Sequence, residues 1–319
     1  MALILREDDV MALLQMADTI GVIEKAFAAL GEGKATNHTR IRFKENSGIM
    51  HLLAASIPSL GIMGHKTYTI FRSGMRYVVM LYSASEGDLL AIIEADWLGG
   101  MRTGATSALA TAYLARHAAA TVGLIGAGRQ ATLQLLGVCQ VRQIEQVFVY
   151  SRRLYEREQF CKQMSQRLNI DVRPVNSSRE AIEHADIVIT ATSSPEPVFP
   201  GDWLQPGTHI NAIGSNWSNR REIDQAALLR SDLVVTDSLE QALSEAGDLL
   251  IPARAGHFDL DRVHELASII VGSAPRRQSE EDITLYKGLG IALEDIATAS
   301  LVYRLAIDQG RGENINILP

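Results

Sequence analysis

From residue 121 onward, short apolar runs alternate with helical segments, and this rhythm constrains the fold more than any other feature. The first run, "TVGLIGAG", breaks into glycines, and five more predicted strands follow: "QVFVYS", "DVRPV", "DIVITAT", "HINAIG" and "LVVTDS". Strands with nearly continuous apolar runs are buried on both faces, so the pattern predicts a parallel sheet covered by helices. The predicted fold class is α/β, with a Rossmann-type doubly wound parallel sheet.

The first 115 residues mix element types and predict an α+β block. We expect Asp18 to cap a helix through "TIGVIEKAFAAL", and we expect antiparallel strands at "IMHLLAAS", "IMGHKTYTIF" and "YVVMLYSASEGDLLAIIEA". The run "TLYKGLGIALEDIATASLVYRLAIDQG" predicts a long helix after a glycine-containing turn. The predicted domains are a dinucleotide-binding domain over 116–291 and a discontinuous domain over 1–115, to which 292–319 return.

Charge and cysteine content exclude several classes of function. The formal net charge of −7 argues against a nucleic-acid partner. Cys139 and Cys161 show no paired spacing, which suits a reducing compartment and gives no disulfide framework or zinc ribbon. Without a cationic leader or an apolar run of about 20 residues, the sequence predicts a soluble cytoplasmic protein with no membrane partner. The histidines show no metal spacing, so no metal site is predicted.

The pattern Gly126-x-Gly128-x-x-Ala131 predicts a dinucleotide site. Gly126 permits a tight turn, Gly128 lets the backbone approach a pyrophosphate, and the small third residue lets the helix pack closely. The N-terminus of the helix adds N–H groups and a partial positive charge. The predicted cofactor-binding residues are Gly126, Ala127, Gly128 and Gln130 in this loop, together with Thr192 at the end of the run "DIVITAT". The alternative is a glycine turn in an α/β protein that binds no nucleotide.

The end of the second predicted strand indicates which dinucleotide is bound. An NAD site usually carries Asp or Glu there, about 20 residues after the glycines. This chain has Ser151, Arg152 and Arg153 instead. A hydroxyl and two planar guanidinium groups suit a 2′-phosphate, so the sequence favours NADP(H) over NAD(H). The alternative is that both arginines are solvated at the start of the next helix.

Cationic residues in the N-terminal block are candidates for binding an anionic substrate. They are Arg40, Arg42, Lys44, Lys66 and Arg102. Taken singly, each is better explained as a surface cation. Lys66, however, lies inside an apolar strand, and Arg102 opens a helix of small neutral residues. Cations in such places need a partner, and an anionic substrate is one candidate.

Five motifs in a fixed order resemble one protein family. They are "MRTGATSALATAYLA", "VGLIGAGRQATLQ", "INAIGSNWSNRREID", "EAGDLLIP" and "KGLGIALEDIATA". The family is that of ornithine cyclodeaminase and mu-crystallin. It includes cyclodeaminases, an archaeal-type alanine dehydrogenase, cyclic ketimine reductases and an NADPH-binding crystallin. The resemblance implies a dinucleotide domain, a discontinuous α/β substrate domain that forms a homodimer, and a C-terminal helix that returns to the first domain.

The resemblance also implies roles for single residues. The family's substrate-carboxylate clamp falls on Arg40, Lys66 and Arg102, and Thr103 would lie near the cofactor. Arginine can bind a carboxylate through two hydrogen bonds, and a desolvated lysine has a lowered pKa, so Lys66 also qualifies as a proton donor. A glutamate of cyclodeaminases aligns with His51, which puts recognition of a second amino group in doubt. The alternative for His51 is a satisfied strand histidine.

Asn216 stands where the resemblance places the acid/base aspartate of cyclodeaminases. Asparagine orients a substrate or water by hydrogen bonds but takes up no proton at neutral pH. Hydride transfer to an imine needs less from the protein, namely binding, orientation and a proton. Asn216 therefore argues for a reductase and against a cyclodeaminase. Trp217, the next residue, is better explained by packing than by covering the substrate.

These observations predict an NAD(P)-dependent oxidoreductase acting on C=N. The predicted reaction is the NADPH-dependent reduction of a small cyclic 2-imino acid, such as 1-pyrroline-2-carboxylate or 1-piperideine-2-carboxylate, to the L-amino acid. The predicted catalytic residues are Arg40, Lys66, Arg102 and Asn216. The alternatives are an alanine dehydrogenase-type enzyme, an ornithine cyclodeaminase and a non-catalytic, crystallin-like protein that binds NADPH or another ligand. The predicted partners are a small anionic imino or amino acid and a second copy of the chain.

Overall fold

The computed structural model describes residues 1–316, which form two compact units. The first unit comprises residues 1–105 and the segment from Gly290 onward, and the second is Thr106–Leu289. The domain limits and domain roles given above stay predictions. Residues 317–319 of the predicted returning segment lie outside the described residues.

The first unit is built around a largely antiparallel sheet. Its elements up to the boundary are β1 (Ala2–Leu5), α1 (Glu7–Leu13), α2 (Met16–Gly31), β2 (Thr36–Asn37), β3 (Ile41–Glu45), β4 (Gly48–Ile57), β5 (Ile62–Phe71), β6 (Gly74–Ser83), β7 (Leu89–Glu94) and α3 (Asp96–Leu114), which continues past the boundary. The predicted antiparallel strands are confirmed as β4 to β7. The predicted cap at Asp18 is wrong, because α2 already begins at the buried Met16. Asp18 lies in its first turn, where a negative charge is favourable.

Alternating burial along β4 gives the first sheet one buried face. In β4, Leu53, Ala55 and Ile57 are buried and their neighbours are partly exposed. Lys66 of β5 pairs with Leu53 on one side and with Val79 of β6 on the other. Directly paired residues point to the same face of a sheet, so Lys66 lies on the buried face.

The second unit is a parallel sheet with helices between its strands. Its elements are β8 (Thr121–Ile125), α4 (Arg129–Val141), β9 (Gln146–Tyr150), α5 (Leu154–Leu168), β10 (Asp171–Pro174), α6 (Ser178–Ile182), β11 (Ile187–Thr190), β12 (His209–Ala212), α7 (Gln225–Arg230), β13 (Leu233–Thr236), α8 (Leu239–Glu245), α9 (Gly247–Arg254), β14 (Val263–Glu265), α10 (Leu266–Val271) and β15 (Thr284–Lys287). The strand order is β10-β9-β8-β11-β12-β15-β13-β14, with every pair parallel. The predicted doubly wound α/β fold is confirmed.

Both faces of the parallel sheet are buried. Ile187 and Ile189 of β11 belong to one apolar cluster, and Val188 between them belongs to the other. The predicted number of six strands is wrong, since β14 and β15 bring the sheet to eight strands. Both lie beyond the six predicted strands in the sequence, and β15 falls within the run that predicts a long helix.

After the second unit the chain contributes α11 (Ala292–Gln309) and β16 (Glu313–Ile315) to the first unit. Helix α11 packs against α2 and against strands β4 and β5. Strand β16 pairs antiparallel with β1, which completes the order β16-β1-β7-β6-β5-β4-β2, with β3 also paired to β4. Within residues 1–316, no helix is both long and apolar enough to span a membrane.

Candidate active site

Two of the predicted clamp residues bind acidic side chains at the start of α11. The Lys66 Nζ lies 2.8 Å from Asp295 Oδ1, and Arg102 Nε donates to the same oxygen at 3.0 Å. Arg102 Nη1 also donates to Glu294 Oε2 at 2.7 Å. The third clamp residue, Arg40, donates from Nη2 to the Gly290 carbonyl at 2.7 Å, just before the same helix. We call Arg40, Lys66, Arg102, Glu294 and Asp295 the cationic cluster.

The cationic cluster brings three cationic side chains together with two carboxyl groups. Lys66 is only 3% exposed and Arg102 only 9%, while both acids are buried. Buried charges are tolerated when they are paired and hydrogen-bonded. Three cationic side chains in one place suit the binding of a carboxylate.

A glycine of α3 makes room for the Lys66 ammonium group. A Cβ atom at Gly99 would lie 2.8 Å from Lys66 Nζ, so a larger residue there would displace the ammonium group. Burial lowers the pKa of Lys66 from its usual value, the Asp295 carboxylate opposes this, and the charges of Arg102 and Arg40 lower it further. An ammonium group in this setting releases its proton more readily than a surface lysine does.

Beside the cationic cluster lies a layer of stacked rings. The His51 ring stacks on Tyr68 at 4.2 Å between centroids, and Tyr68 stacks on Tyr77 at 5.3 Å. The Lys66 Nζ lies 5.8 Å and 5.4 Å from the centroids of the two tyrosine rings, within cation–π range. Burial, with the nearby charges of Arg40 and Arg42, lowers the pKa of His51 to about 3.

His51 is therefore neutral at physiological pH. A carboxylate at this position would attract an ammonium group on a substrate side chain, whereas a neutral imidazole beside two arginines would not. The arrangement suits a substrate whose body is uncharged.

The predicted dinucleotide loop has the geometry that a pyrophosphate needs. Gly126 follows β8 with φ +120°, a conformation that favours glycine. Gly128 is the N-cap of α4, and a Cβ atom built on it would meet no atom within 4 Å. The buried Gln130 Oε1 has no hydrogen-bond partner among residues 1–316. Open space, an N-terminal helix turn and an acceptor without a partner together fit a bound dinucleotide.

Ser151, Arg152 and Arg153 form the turn between β9 and α5. Both arginines are exposed, and Arg153 pairs with Glu156 at 2.7 Å. The buried Arg157 donates to the Ser151 carbonyl at 3.0 Å and lies 5.5 Å from the Tyr150 ring centroid. Arg157 thus fixes the backbone of this turn and leaves the Arg152 side chain at the surface.

Three sets of predicted residues follow three neighbouring strands of the parallel sheet. The glycine loop follows β8, Thr192 follows β11, and Asn216 follows β12 in a half-buried loop. Since β8 pairs with β11 and β11 with β12, these residues share the carboxyl edge, where open α/β sheets bind ligands. Thr103 lies in the first unit, where its hydroxyl donates to the Gly99 carbonyl at 2.8 Å.

Sequence reasoning missed several charged residues that hold these groups in place. They are Glu222, Asp248, Lys287, Glu294 and Asp295, all buried. Each lies in or next to one of the motifs that carried the family resemblance. The available signal was an acid or a lysine within an otherwise apolar run, as in "GIALEDIATA". Residues 1–316 contain no group of three or more His, Cys, Asp or Glu side chains that could hold a metal ion.

Known proteins resemble this chain over nearly its whole length. The family model for the ornithine cyclodeaminase/mu-crystallin family matches residues 1–310. A Delta(1)-pyrroline-2-carboxylate reductase of Bacillus cereus is 35% identical over 307 residues, covering 92% of this chain and 94% of the relative.

Two solved structures extend the comparison to the fold. The Delta(1)-pyrroline-2-carboxylate reductase of Thermococcus litoralis, in complex with NADH and L-proline, matches with a TM-score of 0.94 at 36% identity, covering 98% of this chain and 100% of that one. An archaeal alanine dehydrogenase dimer with bound NAD matches with a TM-score of 0.94 at 29% identity, covering 99% of both chains. The chain belongs to the ornithine cyclodeaminase/mu-crystallin family.

Proposed function

We propose that this protein reduces a small cyclic 2-imino acid to the L-amino acid with NADPH. The chain is an NAD(P)-dependent oxidoreductase that acts on C=N bonds, like its pyrroline-2-carboxylate reductase relatives. The finer proposal concerns the ring and the cofactor: the substrate is of the 1-pyrroline-2-carboxylate or 1-piperideine-2-carboxylate type, and the reductant is NADPH.

The observation that carries this proposal is the convergence of Arg40, Lys66 and Arg102 beside an uncharged ring layer. A cyclic 2-imino acid combines one carboxylate with a small apolar ring, which matches both features. A diamino acid adds a second ammonium group, which His51 cannot pair with at neutral pH. The T. litoralis relative, solved with L-proline, binds the product of such a reduction.

In the proposed mechanism, Arg40 and Arg102 bind the substrate carboxylate by charge-assisted hydrogen bonds. This binding fixes the orientation of the C=N bond and lowers the entropy cost of reaction. A nicotinamide cofactor, held by the glycine loop and Thr192, would supply the hydride that the imine carbon accepts. The imine nitrogen takes a proton from the Lys66 ammonium group, which Asp295 holds in place at 2.8 Å. Asn216 orients the substrate by hydrogen bonds without titrating.

The test is a spectrophotometric assay of NADPH oxidation with 1-pyrroline-2-carboxylate and 1-piperideine-2-carboxylate. We expect saturable turnover on at least one of the two, and L-proline or L-pipecolate as the product. The Asn216→Asp variant reports whether the loop confers deamination of L-ornithine. Protein that binds NADPH tightly but oxidises none of it with either imine would contradict the proposal and support a non-catalytic, crystallin-like protein.

An alanine dehydrogenase-type activity is the second candidate, because the archaeal alanine dehydrogenase structure is similar over 99% of the chain. It would give faster turnover on pyruvate plus ammonia than on the cyclic imines. Ornithine cyclodeamination is disfavoured by Asn216 and by the neutral His51. Release of ammonia from L-ornithine without net cofactor turnover would reverse that judgement.

The preference for NADPH gives a separate prediction. Replacing Arg152 by alanine removes a guanidinium group from the proposed 2′-phosphate site, and we expect kcat/KM for NADPH to fall about 10- to 100-fold, as for the loss of a charge-assisted contact. The value for NADH should stay within about twofold of the wild type. Steady-state kinetics with both cofactors measure this. The control is Arg179→Ala, since Arg179 is also exposed but pairs with Glu183 on α6. Equal losses for both cofactors would show that Arg152 does not select between them.

We also propose that the protein is a cytoplasmic homodimer. The archaeal alanine dehydrogenase relative was solved as a dimer. In the first unit, the sheet face opposite Lys66 exposes large apolar side chains, among them Ile41, Phe43 and Val78 at 51, 47 and 36%. Exposed apolar patches of this kind mark interaction surfaces. Light scattering should give twice the 34.8 kDa chain mass, and a monomer at micromolar concentration would contradict the proposal.

A further inference from the structure

A second buried ion network lies in the parallel-sheet unit and takes no direct part in the mechanism above. It consists of Glu222, Asp248 and Lys287, which are all fully buried. We call these three residues the anchoring network. The network holds two carboxyl groups and one amino group, and burial raises the pKa of Glu222 from its usual value. Burying charge in this way is costly, and an apolar cluster of similar volume stabilises a fold at least as well.

Glu222 binds the ends of two neighbouring strands. Its Oε1 accepts hydrogen bonds from the Thr192 backbone N–H at 2.7 Å and from the Thr192 hydroxyl at 2.6 Å. Its Oε2 accepts from the Gly214 N–H at 2.6 Å and from the Thr190 hydroxyl at 2.8 Å. Each oxygen therefore receives one backbone N–H and one hydroxyl. The side chain links the carboxyl end of β11 to the loop after β12.

Lys287 and Asp248 hold the same loop from the other side. The Lys287 Nζ donates to the Ser215 carbonyl at 2.6 Å and to the Ala212 carbonyl at 3.2 Å. It pairs with Asp248 Oδ2 at 2.9 Å, and Asp248 Oδ1 accepts the Glu222 backbone N–H at 2.7 Å. Backbone groups on both sides of Asn216 are thus fixed by charged side chains.

We propose that Glu222, supported by Asp248 and Lys287, is a positioning residue that holds Thr192 and the Gly214–Asn216 loop in the geometry that cofactor and substrate require. The inference rests on the proposed function, because Thr192 and Asn216 have their roles there. The network fixes only main-chain and threonine groups at the ligand-binding edge of the sheet. The need to hold these groups explains why charged side chains are buried here, although an apolar cluster would stabilise the fold as well.

The test is the Glu222→Gln variant. Glutamine has one oxygen and one NH2 group, and each Glu222 oxygen faces a backbone N–H. The NH2 group must therefore oppose an N–H donor in either orientation, which frees one strand end. We expect kcat to fall about 10- to 100-fold, as for a displacement of about 1 Å near the chemistry. The KM for the imino acid should change less than about threefold. The cationic cluster, which is proposed to bind the substrate carboxylate, belongs to the first unit.

Two readouts do not depend on turnover. Trp217 lies in the loop, and its backbone N–H donates to Ser215 Oγ at 3.4 Å. In a Trp97→Phe, Trp203→Phe background, Trp217 is the remaining tryptophan. Acrylamide should quench its fluorescence more strongly in the Glu222→Gln protein than in the parent protein. The dissociation constant of NADPH, measured by fluorescence titration, should rise at least about fivefold because Thr192 is no longer held.

The matched control is Asp186→Asn. Asp186 precedes β11 at the opposite edge of the sheet and accepts from the Ala120 and Thr121 N–H groups at 2.9 Å and from the Thr121 hydroxyl at 2.8 Å. We expect the Asp186→Asn substitution to lower the stability of the fold without altering the Gly214–Asn216 loop. The kcat, the NADPH affinity and the acrylamide quenching of Trp217 should therefore stay unchanged below the unfolding temperature of this variant. Unaltered quenching and NADPH affinity in Glu222→Gln would overturn the inference. If the wild type reduces no imino acid, the proposed function fails, and the anchoring role is still decided by these two measurements.

Discussion

Replacing Arg102 by methionine is expected to lower kcat/KM for the imino acid by roughly 30- to 4,000-fold. Truncating one partner of a buried, hydrogen-bonded charge pair costs about 2–5 kcal/mol, and each 1.4 kcal/mol is tenfold. Arg102 contacts Glu294 and Asp295 and is proposed to bind the substrate carboxylate. Its loss removes the proposed substrate contact and takes a buried cationic partner away from both Glu294 and Asp295. The measurement is steady-state kinetics together with the thermal midpoint of unfolding.

Two further variants keep this prediction decisive if the methionine variant folds poorly. Arg102→Lys keeps the charge but loses the planar fork, so we expect the protein to fold and KM to rise while kcat falls less. Arg6→Ala serves as the control, since Arg6 pairs with Glu94 at the surface and is 63% exposed. Such exposed pairs contribute about 0–1 kcal/mol, so activity should be unchanged. Full activity in Arg102→Lys and Arg102→Met would exclude Arg102 from substrate binding.

The second large effect concerns Lys66 and the alkaline side of the pH profile. The protonated ammonium group is the proposed acid, so activity is present below the pKa of Lys66 and is lost as the pH rises through it. Burial lowers that pKa from 10.5, so the alkaline limb of kcat/KM should lie below pH 10.5. Lys66→Met should lose about 100- to 10,000-fold in kcat, the usual range for a general acid, and its residual rate should lack this limb.

Circular dichroism across the same pH range separates titration of Lys66 from alkaline unfolding. Gly99→Ala offers an independent test at the same atom, because the added Cβ would lie 2.8 Å from Lys66 Nζ and displace it. We expect this variant to reduce kcat while the protein remains folded. An alkaline limb that persists unchanged in Lys66→Met would assign the proton to another group.

The sequence predicted elements well where local pattern decides the outcome. The strand-like runs at β4 and β5 and the glycines after β8 are local signals, and the structure has strands and a turn at these places. The partners of the cationic residues were out of reach, because Asp295 lies 229 residues from Lys66 and 193 from Arg102. No local pattern indicates that an acid in α11 faces a lysine in β5.

The same limit applies at the parallel sheet. The edge strand β14 spans three residues, too few for a clear periodicity, and β15 lies within a run that predicts a long helix. Lys287 is the last residue of β15. Its local sequence does not indicate that the side chain is buried and binds the Ser215 carbonyl in the loop after β12. The glycine loop, Thr192 and Asn216 each follow a strand that the sequence predicts, and parallel strands bring their carboxyl ends to one edge of the sheet.

Glu294 and Asp295 lie in the segment that returns to the first unit, so they are synthesised after the cations with which they pair. The ribosome completes Lys66 and Arg102 long before the acids that neutralise them, and the whole parallel-sheet unit is made in between. Until α11 emerges, the two cations have no carboxylates from that helix and stay hydrated, since an unpaired charge resists burial. A chain interrupted after Leu289 can therefore complete the parallel sheet but not the buried face of the first. Competence to bind a carboxylate is acquired only after α11 has been synthesised.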